Sequence, residues 1–297
     1  MSNPADLPLL DAFVLPVSGG HELAVAEYGH PQGRPALVIH GGPGSGASPA
    51  LRRGFDPQRW RVICIDQRGA GRSRPRGSVT HNRTDLLVDD LLALRERLRL
   101  PGWLVCGGSW GATLALAYAA ADPQAVQGLL LRATFLGRDE DIEAFFTGSP
   151  GLALEPLARD LLEGDRDTRA AAARAWWRWE QQLATGRTDW PTLEGEALAF
   201  QVDRLRVQAH YFRHGCWLRE RPLLDRCAEV PRVPTLLLHA RDDRVCPPAG
   251  AALVHERLPH ARLHWIAEGG HDATHPALVA ATTAALARFA EHGDFGA

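Results

Sequence analysis

Short apolar runs without alternation punctuate the chain: residues 36–40 (ALVIH), 61–66 (RVICID), 103–107 (WLVCG) and, much later, 235–240 (TLLLHA). Rich in β-branched residues and leucine, and bounded by glycine or polar turns, they predict strands buried on both faces of a largely parallel sheet. Between them the period changes. Residues 85–98 (DLLVDDLLALRERL) set leucines three and four apart, residues 111–121 form a small-residue helix, and residues 276–289 (PALVAATTAALARF) read as a closing helix. Alternating strand and helix predict right-handed βαβ units and an α/β fold with a doubly wound sheet.

The pattern breaks over residues 135–229, where WWRWE and long arginine-rich helical stretches contain no convincing strand. This reads as a helical insertion, so the expected organisation is a core of residues 1–134 and 230–297 with a cap formed by residues 135–229. A chain of 297 residues is long enough for one large α/β domain with an inserted subdomain.

Composition narrows the partners. Hydrophobic residues at 45% and charged ones at 23% are globular values, and 33 basic against 35 acidic side chains give a formal charge of −2, which argues against nucleic acid. The longest alanine and leucine stretch, residues 112–121, falls far short of the roughly 20 apolar residues that span a bilayer, so no membrane partner is expected. The N-terminal MSNPADLPLL lacks a basic region followed by an apolar one, and the five cysteines form no CxxC pair, so a reduced, cytoplasmic setting fits. Oligomeric state is not legible.

Gly107, Ser109 and Gly111 form GxSxG between an expected strand and an expected helix, the context of a nucleophile elbow. A sharp strand-to-helix turn strains the serine backbone, exposes its hydroxyl, and leaves no room for side chains two residues to either side. HGGPG (residues 40–44) follows the ALVI strand and can offer backbone N–H groups to an oxyanion; the expected donors are the N–H of Trp110 and one from the loop around Gly42. An acid and a histidine should follow at the ends of later strands. HARDDRVCPP offers Asp242 and Asp243, and EGGHDATH offers His271. Asp243 is expected to hold the imidazole of His271, which would take the Ser109 proton and deliver it to the leaving group.

His210 with His214, and His271 with His275, lie four apart, yet neither pair carries the glutamate of HExxH and no cysteine pair assists, so no metal is expected. With no GxGxxG or GxxxxGK[ST] after a strand, no nucleotide cofactor is expected either.

HGGPG, DQRGAGRS (residues 66–73), GGSWGATLAL (residues 107–116), WWRWE, HYF (residues 210–212), RDDRVCPP and GGH (residues 269–271) together resemble the proline iminopeptidases, serine peptidases of the α/β-hydrolase superfamily. The match is collinear over nearly the whole chain. It implies an α/β-hydrolase core under a helical cap, and release of an N-terminal proline from a peptide without a cofactor. In that family cap glutamates bind the substrate's free amino group. One matches Glu180; the other is replaced, within VQAHYF, by Gln208. A hydrogen bond to a charged group contributes about 1.5–3 kcal/mol and a neutral one about 0.5–1.5, so the replacement weakens ammonium binding on the order of tenfold. Arg204, four residues before Gln208, either faces the same site and disfavours a cationic amine or points elsewhere. The resemblance also places Phe135 and Phe146 against the proline ring, while Trp176, Trp177 and Trp179 read as cap packing. The alternative on the same scaffold is an esterase, lactonase or neutral-amide hydrolase, motivated by Gln208.

Overall fold

An eight-stranded sheet in the order β1-β2-β4-β3-β5-β6-β7-β8 organises the chain in a computed structural model that describes residues 7–296. The reading of the N-terminal MSNPADLPLL rests partly on residues 1–6, which lie outside the described residues. Strands β3 (Arg34–Ile39), β4 (Trp60–Ile65), β5 (Trp103–Gly108) and β7 (Thr235–Ala240) coincide with the apolar runs and pair in parallel, directly or through β6 (Val126–Arg132). Their residues are almost wholly buried because helices cover both faces.

The remaining strands, β1, β2 and β8, lie outside the runs picked out from the sequence. β1 (Leu9–Val17) and β2 (His21–Gly29) form an antiparallel hairpin that joins the sheet through β4. β1 is a largely exposed edge strand, with Leu9 and Val14 facing solvent and Pro16 tolerated near its end. In β2 the buried Glu27 interrupts the apolar pattern and is held by Arg61 of β4 at 2.5 Å. At the other edge, β8 (Arg262–Ile266) alternates between exposed and half-buried positions.

Helix α1 (Thr84–Leu98) packs against α2 (Trp110–Ala121), which is buried all round against β3, β5 and β6. That surrounding explains why α2 is built almost entirely from small and apolar residues. Between β6 and β7 lie α3 (Asp139–Phe146), α4 (Leu154–Glu163), α5 (Arg166–Thr185), α6 (Gly195–Arg213) and the short α7 (Leu223–Arg226). The longer three of these, α4, α5 and α6, pack on one another. At their centre Trp176 is fully buried among Phe145, Phe146 and Phe212, with ring centroids 6.1, 5.2 and 6.0 Å away. Helices α8 (Ala249–Arg257) and α9 (Pro276–His292) complete the layers, and no helix among the described residues is long and apolar enough to cross a membrane.

Candidate active site

The strand-to-helix turn at GxSxG places Ser109 at φ 56° and ψ −126°, a conformation that L residues rarely adopt and that holds the side chain at the tip of the turn. The flanking glycines are sterically required. A Cβ on Gly107 would lie 2.1 Å from the carbonyl oxygen of Gly111, and one on Gly111 would lie 2.3 Å from that of Ile39. The helix N-terminus therefore packs directly on β3 and β5, with its positive dipole end behind the serine.

Asp243 and His271 come from the turns after β7 and β8, and His271 Nδ1 donates to Asp243 Oδ2 at 2.8 Å. The other carboxylate oxygen accepts the backbone N–H groups of Val245 at 2.9 Å and Cys246 at 2.8 Å. Burial alone would raise the Asp243 pKa, but the imidazole of His271, with the N–H of Cys246, outweighs it and holds the carboxyl below its ordinary range. For His271, burial acts against the charged ring, while the charge and hydrogen bond of Asp243 override it and raise the pKa above 6.5. With Nδ1 committed to Asp243, Nε2 is left for a reaction partner. The hydroxyl of Ser109 lies 3.6 Å from Cys246 Sγ, and no hydrogen bond joins it to His271 among the described residues. Ser109 and His271 line one cavity of about 450 Å³, and Asp243 is buried behind His271, outside the lining.

Asp242, the other acid of the pair, serves the backbone instead. Its Oδ1 accepts from Gly269 N at 3.0 Å and Gly270 N at 2.9 Å, fixing the turn that presents His271. The HGGPG loop also lines the cavity, and neither the N–H of Gly42 nor that of Trp110 has a hydrogen-bond partner among the described residues. Buried bonds hold this loop against the elbow. Gln67 donates from Nε2 to the carbonyl of His40 at 2.8 Å and from its backbone N–H to His40 Nε2 at 3.0 Å, while its Oε1 accepts from Trp110 Nε1 at 2.9 Å. Burial lowers the pKa of His40, consistent with a neutral ring whose Nε2 accepts.

The far wall comes from α5 and α6, including Trp177, Glu180, Gln201, Arg204 and Gln208. Arg204 faces the site. Its guanidinium grips both oxygens of Glu180, donates to Gln208 Oε1 at 3.2 Å and to Gln201 Oε1 at 2.6 Å, and is only 7% exposed. Phe135 lines the cavity, together with Phe145, Phe200 and Phe212. Phe146 lies beside Phe145 at 5.0 Å and is not part of the lining, because consecutive helical residues point about 100° apart. Trp176 and Trp179 are packed inside the helical insert, whereas Trp177 does reach the cavity.

Several lining residues carried no sequence signal. Cys246 and Arg132 are examples: the guanidinium of Arg132, at the end of β6, is 9% exposed and makes no side-chain hydrogen bond or ion pair among the described residues. Burial lowers its pKa. Only its place beside the elbow, where β6 pairs with Gly108, brings it to the site. No group of three or more His, Cys, Asp or Glu side chains among the described residues is placed to hold a metal ion.

The sheet order, the elbow after β5 and the inserted helices define the chain as an α/β hydrolase, and the family described as alpha/beta hydrolase fold matches residues 35–276. The chain is 38% identical over 293 residues to the proline iminopeptidase of Arabidopsis thaliana, covering 90% of this chain and 76% of that one. It is 35% identical over 301 residues to the proline iminopeptidase of Neisseria meningitidis serogroup B, covering 94% and 96%. The chain belongs to the proline iminopeptidase family. Among solved structures, the proline iminopeptidase of Mycobacterium smegmatis superposes with a TM-score of 0.67 at 20% identity, over 96% of this chain and 99% of that one. An esterase from Exiguobacterium antarcticum superposes with 0.68, also at 20% identity, over 95% and 100%. At such identities the two structures speak for the fold alone.

Proposed function

We propose that the protein is a serine hydrolase that releases N-terminal proline, or a similar small residue, from peptides through an acyl-enzyme. The observation that carries this reading is the convergence of Ser109, in its strained turn, and His271 on a single cavity, with the imidazole of His271 held from behind by the buried Asp243. Family membership supplies the substrate class: the relatives are named proline iminopeptidases.

In the reaction Ser109 Oγ attacks the carbonyl carbon as His271 Nε2 takes its proton. The N–H groups of Gly42 and Trp110 then receive the negative charge that develops on the carbonyl oxygen. The imidazolium formed is stabilised by Asp243 and returns the proton to the leaving amine. Water activated by His271 then hydrolyses the ester bond to Ser109 and releases the acid. Phe135 and Phe145 offer an apolar wall for a pyrrolidine ring, and the helices of residues 135–229 act as a cap that limits water. No step requires a cofactor.

A second reading, hydrolysis of esters, lactones or neutral amides, is favoured by one observation: Glu180 is already held by Arg204. Turnover of proline p-nitroanilide, lost in Ser109→Ala, is the expected result. An enzyme that cleaves no prolyl amide, free or blocked, yet hydrolyses neutral esters efficiently would establish the second reading in place of the first.

A further inference from the structure

The wall of the cavity divides between the two apolar clusters of the core. Phe135, Phe145, Phe212, Val245 and Cys246 belong to one of them, and Cys246 Sγ lies 3.6 Å from Ser109 Oγ. Leu278, near the start of α9, belongs to the other, against which Leu51 packs. The segment that carries Leu51 reaches α9 because Gly54 has no side chain: a Cβ there would lie 2.7 Å from Thr283 Oγ1.

His271 decides which side takes which half of the substrate. In the proposed reaction its imidazole hands a proton to the leaving amine, so the departing peptide lies against the ring. From His271 the wall continues through Asp272 and Ala273 to Leu278. It also crosses to the end of α5, where the backbone N–H of His271 donates to the carbonyl of Ala184 at 3.4 Å and Thr185 joins the lining. The cluster around Cys246 is left for the proline ring.

On the side of the departing peptide the uncommitted charge is negative. Asp272 Oδ1 accepts the backbone N–H and the hydroxyl of Thr274 at 2.8 and 2.7 Å, which fixes the half-buried carboxylate, while Oδ2 has no hydrogen bond or ion pair among the described residues. The C-terminal end of α5 adds the negative end of its dipole. Of the other charged side chains in the lining, Glu180 and Arg204 hold each other, and Arg132 lies at the elbow, its Nη2 3.7 Å from where a Cβ of Gly108 would stand. Arg187, just beyond α5, is paired with Asp189 and is not part of the lining. A carboxylate with one oxygen held and one free is set to take a cationic donor and to repel an anion.

We propose that Asp272 is a specificity-determining residue for the departing peptide, its free oxygen receiving the cationic side chain of a lysine or arginine that directly follows the N-terminal proline. The inference rests on the reading of Ser109 and His271 as the catalytic pair of a prolyl peptidase and names the substrate class of that same site: peptides that begin Pro-Lys or Pro-Arg.

The test compares kcat/KM for Pro-Lys-Gly-amide and Pro-Glu-Gly-amide in the full-length protein, in Asp272→Asn and in Asp272→Lys. Because residue 272 follows His271, changing its charge alters the rate on every substrate, and the ratio of the two peptides cancels that common effect. In the wild type at low salt the lysine peptide is expected to lead by at least about threefold, attraction of one side chain adding to repulsion of the other, and the lead should shrink in molar salt. Asp272→Asn keeps an oxygen for Thr274 and should bring the two peptides to within about twofold of each other, while Asp272→Lys should invert their order. Labelling of Ser109 by a fluorophosphonate reports that each variant is folded, and the wild-type ratio and its salt dependence need no variant at all. A wild type without the lead, a lead that salt leaves intact, a folded Asp272→Asn that retains it, or a folded Asp272→Lys that still favours lysine overturns the inference alone. A protein that hydrolyses neither prolyl peptide overturns the proposed function and this inference together.

Discussion

Trp110 Nε1 donates to Gln67 Oε1 at 2.9 Å, and through this one amide the helix that begins beside Ser109 is tied to the loop that begins at His40. Both side chains are buried, so the bond has no water to replace it. Gln67→Met removes the acceptor of Trp110 and the donor to the His40 carbonyl while nearly preserving volume. A buried group left unsatisfied costs about 1–3 kcal/mol, and two are created, so a loss on the order of 3 kcal/mol and a fall in Tm of roughly 6–12 °C are expected by calorimetry. In the proposed reaction the same loop carries an oxyanion donor, so kcat should drop more than KM rises.

The elbow, its glycines and the buried parallel strands were legible because each imposes a local rule: Gly107 and Gly111 have no space for a Cβ, and doubly covered strands read as unbroken apolar runs. Edge strands obey no such rule. β1 carries a short apolar run beside a proline on a mostly exposed edge, and β8 alternates, so neither has the signature of a strand covered on both faces. At the site, the sequence reading assigned Asp243 to His271 but gave no task to Asp242, because its role of holding the Gly269 and Gly270 N–H groups depends on where the backbone turn after β8 lies. The orientation of Arg204 was equally open, since a helical position four residues from Gln208 does not say whether Glu180 of another helix lies within reach. Arg132 and Cys246 reach the cavity by tertiary placement alone.

Asp243→Asn tests the histidine tautomer. Because Oδ1 of residue 243 accepts two backbone N–H groups, the asparagine must keep its carbonyl oxygen there and turn its NH2 towards His271 Nδ1. The ring then has to accept at Nδ1 and carry its proton on Nε2, where it cannot act as a base. A fall in kcat on the order of 10³–10⁴-fold with little change in KM is expected from steady-state kinetics. A fall of less than tenfold would show that Asp243 does not set the tautomer.

The paired charges also set the pH dependence. His271 must be neutral to accept a proton, and Asp243 raises its pKa above 6.5, so kcat/KM should climb with pH along a limb centred above 6.5. In Asp243→Ala the main cause that raises the ring is gone, burial becomes the dominant influence beside the weaker charges of Glu180 and Arg132, and the limb of the residual activity should move to lower pH. The stability signs are opposite for the two partners. The raised His271 contributes stability that is complete below 6.5 and fades as pH rises through its folded value, whereas the depressed Asp243 contributes above 3.8 and loses it as pH falls through its folded value. The Tm gap between the wild type and Asp243→Ala should therefore narrow at both ends of a pH series.

Asp242 supports His271 without touching it, by binding the N–H groups of Gly269 and Gly270. Removing the carboxylate in Asp242→Ala leaves the His271 side chain and its bond to Asp243 chemically intact but frees the turn that aims the ring. Because Asp242 and the turn are solvent-accessible, water can satisfy the released N–H groups, so the stability loss should stay near 1 kcal/mol. Misplacement by a fraction of an ångström is more costly to catalysis than to folding, and kcat should fall roughly tenfold or more. Asp242→Asn keeps a carbonyl acceptor and should recover most of that rate. Equal losses in the two variants would mean that the charge of Asp242, and not its hold on the backbone, is what the site needs.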